Sequence, residues 1–198
     1  MKLKDELLIA AEHIFINKGF EAATIEEICI LAKHSRPTFY KRFKDKNALF
    51  AEYVASKAKM MVENLEGLAA EITDKKTFIS QSKKYLTYMY GEDVLTFHCL
   101  VAGASRHNSA TRRVFKNSLV AKHIQLRQRV VTQLIINGLI KPTRDIAKLA
   151  KLLGSLITAD SYYLTVAGGQ DPLKGKELEA YVDERCELFL KIANNHFG

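Results

Sequence analysis

Proline and glycine are scarce, with 3 Pro and 10 Gly in 198 residues. A chain of many short strands or long loops needs more of both to make its turns, so an all-β or loop-dominated protein is disfavoured. Cysteine is sparse as well. Cys29, Cys99 and Cys186 form an odd, dispersed set with no CxxC pair, which excludes a disulfide framework or a zinc module and fits a reducing compartment. The start, Met1-Lys2-Leu3-Lys4-Asp5-Glu6, leads into no apolar signal segment, so a cytoplasmic location is expected. The longest apolar stretch, Leu152 to Gly169, contains Ser155, Asp160, Ser161 and two tyrosines. It reads as a buried helix, and no membrane span is expected. Acids are missing altogether between Asp93 and Asp145, a stretch that holds Arg106, Arg112, Arg113, Lys116, Lys122, Arg127, Arg129, Lys141 and Arg144. A solvated helix face accounts for such a run, and so does an anionic effector or an acidic partner.

What is present belongs to a folded chain, 47% hydrophobic and 26% charged. Such a chain buries a sizeable core without staples. The net charge of +8 and the isoelectric point near 9.3 weakly favour a polyanionic partner. The dominant period is helical, and no convincing apolar/polar alternation occurs. Leu7, Leu8, Ala11, Ile14 and Phe15 mark one face of a first helix, stopped by Gly19. Thr24 with Glu27 three residues on is a capping box that opens a second helix. Ser35 caps a short third helix, Arg36 to Phe43, with Pro37 in its first turn. Asp45 caps a fourth, running to about Glu66. Further helical segments follow at about 74–91, 92–107, 111–137 and 143–168, and a last one after Asp171-Pro172. The expectation is an all-α chain of about nine helices, with one domain over residues 1–46 and a larger helical body over 47–198.

Residues 24–43 make a helix, a three-residue turn and a short second helix, compact enough to enter a major groove roughly 12 Å wide. From 33 to 46 the cations Lys33, Arg36, Lys41, Arg42, Lys44 and Lys46 face a single acid, Asp45, whereas residues 1–32 are net acidic. Positive charge is thus focused on one segment. Arg36, at the helix start, suits a bidentate pair to guanine, and Pro37 and Thr38 suit a thymine methyl. Tyr40, Lys41 and Lys46 suit phosphates, Arg42 is a further DNA-binding candidate, and Ser35 and Thr24 put helix N-termini at the backbone. Phe39 and Phe43 belong to the core.

The run from Thr24 to Phe50 resembles the DNA-binding domain of TetR-family transcriptional regulators. The resemblance rests on Gly19-Phe20, Thr24, Ile28, Ala32, Ser35, Thr38-Phe39-Tyr40, Phe43, Lys46 and Ala48-Leu49-Phe50. It departs at two turn positions, where the family usually has Gly for Lys33 and a small apolar residue for His34. Lys33 then needs a positive φ or an altered turn, at a cost of about 1 kcal/mol. The resemblance implies a homodimer on an inverted-repeat operator in double-stranded DNA, most often a repressor released by a small-molecule effector.

The C-terminal segments are apolar on more than one face. Leu149, Leu153, Leu156 and Ile157, with Leu178, Tyr181, Arg185 and Phe189, are expected to form a two-fold helical dimer interface, and Gly154, Thr158 and Ser161 leave room for close approach. Met61, Tyr85, Tyr88, Phe97, His98, Arg106, His123 and Tyr162 are the candidates to line a ligand pocket that suits a neutral or anionic molecule. The competing class is a helical ligand-binding or enzymatic protein with an incidental basic segment. Enzymatic chemistry finds little support, because the histidines lack metal-ligand spacing and no phosphate loop or nucleophile elbow occurs. No metal, no other cofactor and no catalytic residue is expected.

Overall fold

A computed structural model describes residues 2–68, 70–105 and 108–197. Arg106, one of the expected ligand residues, lies outside them. Ten α-helices and no strand occur among the described residues: α1 Leu3–Ala22, α2 Ile25–Leu31, α3 Arg36–Tyr40, α4 Lys46–Leu68, α5 Lys75–Met89, α6 Glu92–Ser105, α7 Ser109–Phe115, α8 Ala121–Ile136, α9 Ile146–Val166 and α10 Gly175–His196. The expected all-helical class holds. The segment expected as one helix from 111 to 137 is α7 and α8 joined by a π-helical turn, Lys116–Val120, which hydrophobic spacing alone does not reveal. Packing groups Met1–Met61 with Thr96–Val120, and Val62–Leu95 with Ala121–Gly198. This division cuts α4 and α6 instead of falling after residue 46.

The first unit is built on aromatic rings. Phe15, Phe39 and Phe50 are fully buried, and Phe20, Phe43 and Tyr53 nearly so. Phe15 meets Phe50 edge-on at 5.0 Å between centroids, and Phe20 lies 4.5 Å from Phe50. Each ring so buried contributes about 1.5–3 kcal/mol relative to exposure. Gly19 does not end α1 but breaks it, with φ 76 and ψ 167, before one more turn to Ala22. Lys46, from the start of α4, donates to the carbonyl oxygens of Phe20 (2.7 Å), Glu21 (3.0 Å) and Ala23 (2.8 Å). Its ammonium also sits 4.6 Å from the Phe20 ring centre. The last turn of α1 has no basic residue of its own, so Lys46 supplies the cation that the helix C-terminus favours.

In the second unit, α8 packs on α9, and α10 packs on α5 and α9. Phe78 of α5 and Phe189 of α10, both fully buried, lie 6.1 Å apart. Leu149, Leu153, Ile157, Leu178 and Phe189, expected at a dimer interface, are buried within the single chain. They are core, because α9 and α10 use their most regular apolar rows against their own neighbours. Leu156, Tyr181 and Arg185 remain partly open. They cluster: the Tyr181 hydroxyl donates to the Leu156 carbonyl at 3.5 Å, and the Arg185 guanidinium lies 5.0 Å from the Tyr181 ring centre. Tyr163 and Leu164 of α9 are exposed at 72% and 42%.

Three helices end in the same two-bond cap. In α2, His34 N–H donates to Cys29 and Lys33 N–H to Ile30; in α8, Leu139 donates to Leu134 and Gly138 to Ile135; in α9, Gly169 donates to Leu164 and Gly168 to Thr165. The motif requires a left-handed residue. Gly138 and Gly168 supply it without strain, but at the first site it is Lys33, at φ 57. Exchanging Lys33 for Gly is expected to raise the unfolding free energy by about 0.5–1 kcal/mol, the relief of the Cβ clash exceeding the added entropy of the unfolded chain. Lys33→Val is expected to lower it. Urea midpoints of the three proteins check both signs.

Candidate functional site

The capping box at Thr24 forms as its spacing dictates. Glu27 N–H donates to the Thr24 hydroxyl at 3.2 Å, and Thr24 N–H donates to the Glu27 carboxylate at 3.1 Å. Lys18, paired with that carboxylate, and then the Thr24 bonds hold the Glu27 pKa down at about 2. Ser35 caps α3 by accepting from Thr38 N–H at 3.3 Å, and the two hydroxyls share a bond of 2.9 Å. The turn between α2 and α3 is tied to α1 by His34, whose Nε2 lies 2.7 Å from a Glu6 carboxylate oxygen. Helix α3 ends at Tyr40, shorter than the expected Phe43, but Phe43 N–H still donates to the Phe39 carbonyl at 2.9 Å. Both phenylalanines are buried, as expected.

Opposite that buried edge lies an open face. Thr24, Ser35, Arg36, Pro37, Tyr40, Lys41 and Arg42 are exposed and Thr38 is half-buried. Arg36 donates to the Tyr40 hydroxyl one turn on, which, with nearby Glu26, raises the guanidinium pKa further. Arg42 lies 5.0 Å from the centre of the Phe43 ring. Three cations, Arg36, Lys41 and Arg42, with hydroxyls and two capped helix N-termini thus share a face on which a polyanion fits. Lys46 stands apart: its ammonium is committed to the carbonyls of Phe20, Glu21 and Ala23 at the end of α1.

The second unit contains a cavity of about 510 Å³. Phe78, Tyr85, Leu126, Val130, Leu153 and Ile157 supply much of its wall, with Gln81, Ser82, His123, Arg127 and Gln133 among its polar groups. Tyr85 links two of them, accepting from Arg127 Nη2 at 3.1 Å and sharing a 3.2 Å bond with Nδ1 of His123. Gly154 of α9 makes this possible. A Cβ there would stand 2.3 Å from Nη1 and 2.6 Å from Cζ of Arg127, so the room that the sequence suggests for a neighbouring helix is taken by a guanidinium.

Of the expected ligand residues, Tyr85 and His123 line this cavity. Tyr88 bonds Asn64 at 3.5 Å, and Tyr162 lies 5.7 Å from Tyr90; neither lines it. Met61, Phe97 and His98 belong to the first unit. There Phe97 packs on Tyr53 and Phe115. A mixture of Met and aromatic residues marks core as readily as pocket. Arg127 is the pocket group that side-chain type did not single out. The available signal was its position one turn from His123 on α8, within the acid-free stretch.

Residues 7–53 match the family described as "Bacterial regulatory proteins, tetR family". Over 52 residues the chain is 42% identical to the HTH-type transcriptional regulator QacR of Staphylococcus aureus (strain Mu50 / ATCC 700699), a match spanning 26% of this chain and 28% of QacR. The segment 7–53 is thus similar to the TetR family, and the chain spans less than a third of the length of the curated relative it matches. Among solved structures the fold is similar to a Mesorhizobium loti MAFF303099 protein classed with TetR-family regulators, with a TM-score of 0.84, 24% identity and 96% of each chain covered. It is also similar to the flavonoid-responsive regulator FrrA, with a TM-score of 0.77, 21% identity and 98% of each chain covered. At those identities the likeness is one of fold. The TetR segment 7–53 carries the whole open face of α3, whereas the cavity lies beyond it.

His98, also outside the TetR segment, is held by Phe97 and Phe115, with ring centroids at 5.7 and 5.8 Å. Burial pushes its pKa from 6.5 down to about 4. A histidine whose folded pKa is depressed favours the folded state only while neutral. Its contribution is therefore full above about 6.5 and is lost as pH falls toward 4. The urea midpoint is expected to drop over that window more steeply for the unmodified protein than for His98→Leu.

Proposed function

We propose that this chain is a sequence-specific DNA-binding transcriptional regulator, a homodimeric cytoplasmic repressor released from an inverted-repeat operator by a small molecule. The observation that carries the reading is the open face of α3. Arg36, Tyr40, Lys41 and Arg42 are exposed there, beside the capped starts of α2 and α3, in the segment matched by the TetR family. In this reading residues 1–46 are the DNA-binding head and 47–198 the effector and dimerisation body. Arg36 reads guanine, and Pro37 and Thr38 contact base edges. Thr24, Ser35, Tyr40, Lys41 and Arg42 hold the backbone. Lys46, expected as a phosphate contact, is assigned instead to closing α1, because its donors are already used. The cavity supports an effector role, and FrrA, of similar fold, is named as flavonoid-responsive.

Relief of repression requires differential binding. The effector must favour a conformation whose two heads miss half-sites spaced by one helical turn, roughly 34–36 Å. The surface left for a two-fold partner is Leu156, Tyr163, Leu164, Tyr181 and Arg185, apolar with one cation.

Two experiments test the reading. After selection of bound duplexes, Arg36→Ala is expected to lose about 1–3 kcal/mol of discrimination at one base pair in each half-site. Lys41→Ala is expected to weaken all duplexes alike and to reduce the salt slope by about one. Equal losses on every sequence for both variants would remove the assigned division of roles. Sedimentation equilibrium is expected to give a dimer without DNA, converted to a folded monomer by Leu156→Lys, since a second cation beside Arg185 is excluded from an apolar contact.

A further inference from the structure

Arg127 is the one cavity cation whose partners leave its charge unanswered among the described residues. The other, Arg129, is exposed and faces Glu66 at 3.9 Å. Arg127 pairs with no carboxylate among the described residues; its polar partner is the neutral Tyr85 hydroxyl, at 3.1 Å. The rest of its donor fork is uncommitted among those residues. The guanidinium occupies a cradle that any side chain at position 154 would fill, and it lies beside an apolar wall of Phe78, Leu126, Leu153 and Ile157. A half-buried guanidinium is costly without an anion, and its planar fork matches the two oxygens of a carboxylate.

We propose that this cavity takes an organic monocarboxylic acid with an apolar body, its carboxylate on Arg127 and its body along the Phe78, Leu126, Leu153 and Ile157 wall. The inference rests on the reading of the chain as an effector-responsive regulator and adds the chemical class of the effector. One free guanidinium favours a monoanion over a phosphate, whose second charge has no cation to meet it. The one acid of the lining, Glu71, is exposed and would oppose a second negative charge. The size suits the assignment, since about 510 Å³ lies within the ordinary range of small-molecule sites. Neutral donors and acceptors at Gln81 and Gln133 leave the body of the ligand open to a few polar substituents without requiring them.

The test is calorimetry on the full chain with octanoate, decanoate and 3-phenylpropanoate, each against its methyl ester. At least one acid is expected to bind roughly tenfold to a hundredfold more tightly than its ester, the size of a charge-assisted hydrogen-bonded pair. Arg127→Gln is expected to abolish that preference, with ester affinity showing that the cavity is still formed. Gly154→Ala provides the second variant. It displaces the guanidinium by its flexible end and removes a helix-weakening glycine, so the protein is expected to remain folded while the preference falls at least tenfold. Three results would overturn the proposal: no acid of the set binding, esters binding as well as acids, or a preference that survives in both variants. Operator release is read separately. Acid binding that depends on Arg127 without any change in duplex affinity would uphold the ligand class and remove the effector role. Release of duplex by the esters as readily as by the acids would keep the effector role and overturn the ligand class.

Discussion

A single ammonium group closes the N-terminal head. Gly19 breaks α1 before its end, and the extra turn leaves carbonyl oxygens at Phe20, Glu21 and Ala23 with no helical continuation to meet them. Lys46 donates to all three while its charge faces the Phe20 ring. Because Lys46 begins α4, that contact fixes the end of α1 against the start of α4, where Phe20 and Phe50 lie 4.5 Å apart. The placement of α2 and α3 then follows from the same aromatic core, through Ile28, Phe39 and Phe43. A cation that looks like part of the basic open face is thus the one the face is mounted on.

The open face of α3 is held by backbone chemistry at short range. Thr24 with Glu27 and Ser35 with Thr38 satisfy the first donors of two helices, and the Lys33 turn sets the angle between them. The strain at Lys33 is about 1 kcal/mol, small against the aromatic burial that holds the head. His34 reinforces the turn from outside through Glu6. The departures from the usual family residues at 33 and 34 are therefore accommodated within one turn.

The C-terminal body solves a different problem. Its helices are apolar on several faces, and most of that surface is spent inside the chain. What remains is a cavity with a polar inset of Tyr85, His123 and Arg127 on one side of the α8–α9 contact. Gly154 matters here because a side chain at that position would fill the space that the Arg127 guanidinium occupies. The cavity's chemistry depends on one missing side chain as much as on those present.

The sequence by itself determined the helical class, the caps at Thr24, Ser35 and Asp45, the departure from the usual turn at Lys33 and the exposed basic face of α3. Each of these is set by residues within about four positions of one another, so spacing and side-chain type suffice. Tertiary structure decided the rest. Lys46 and Arg42 are cations a few residues apart, but only the packing of α1 against α4 tells that one is committed and the other open. Leu153 and Leu156 share a helix and an apolar character, yet one is core and the other partly open, because the neighbours that bury them lie far along the chain. Of the expected pocket residues Tyr85 and His123 line the cavity, whereas Met61, Phe97 and His98 pack in the other unit. Arg127 gains its place from Gly154, 27 positions away, a pairing between side-chain tip and helix backbone that leaves no periodic trace in the sequence.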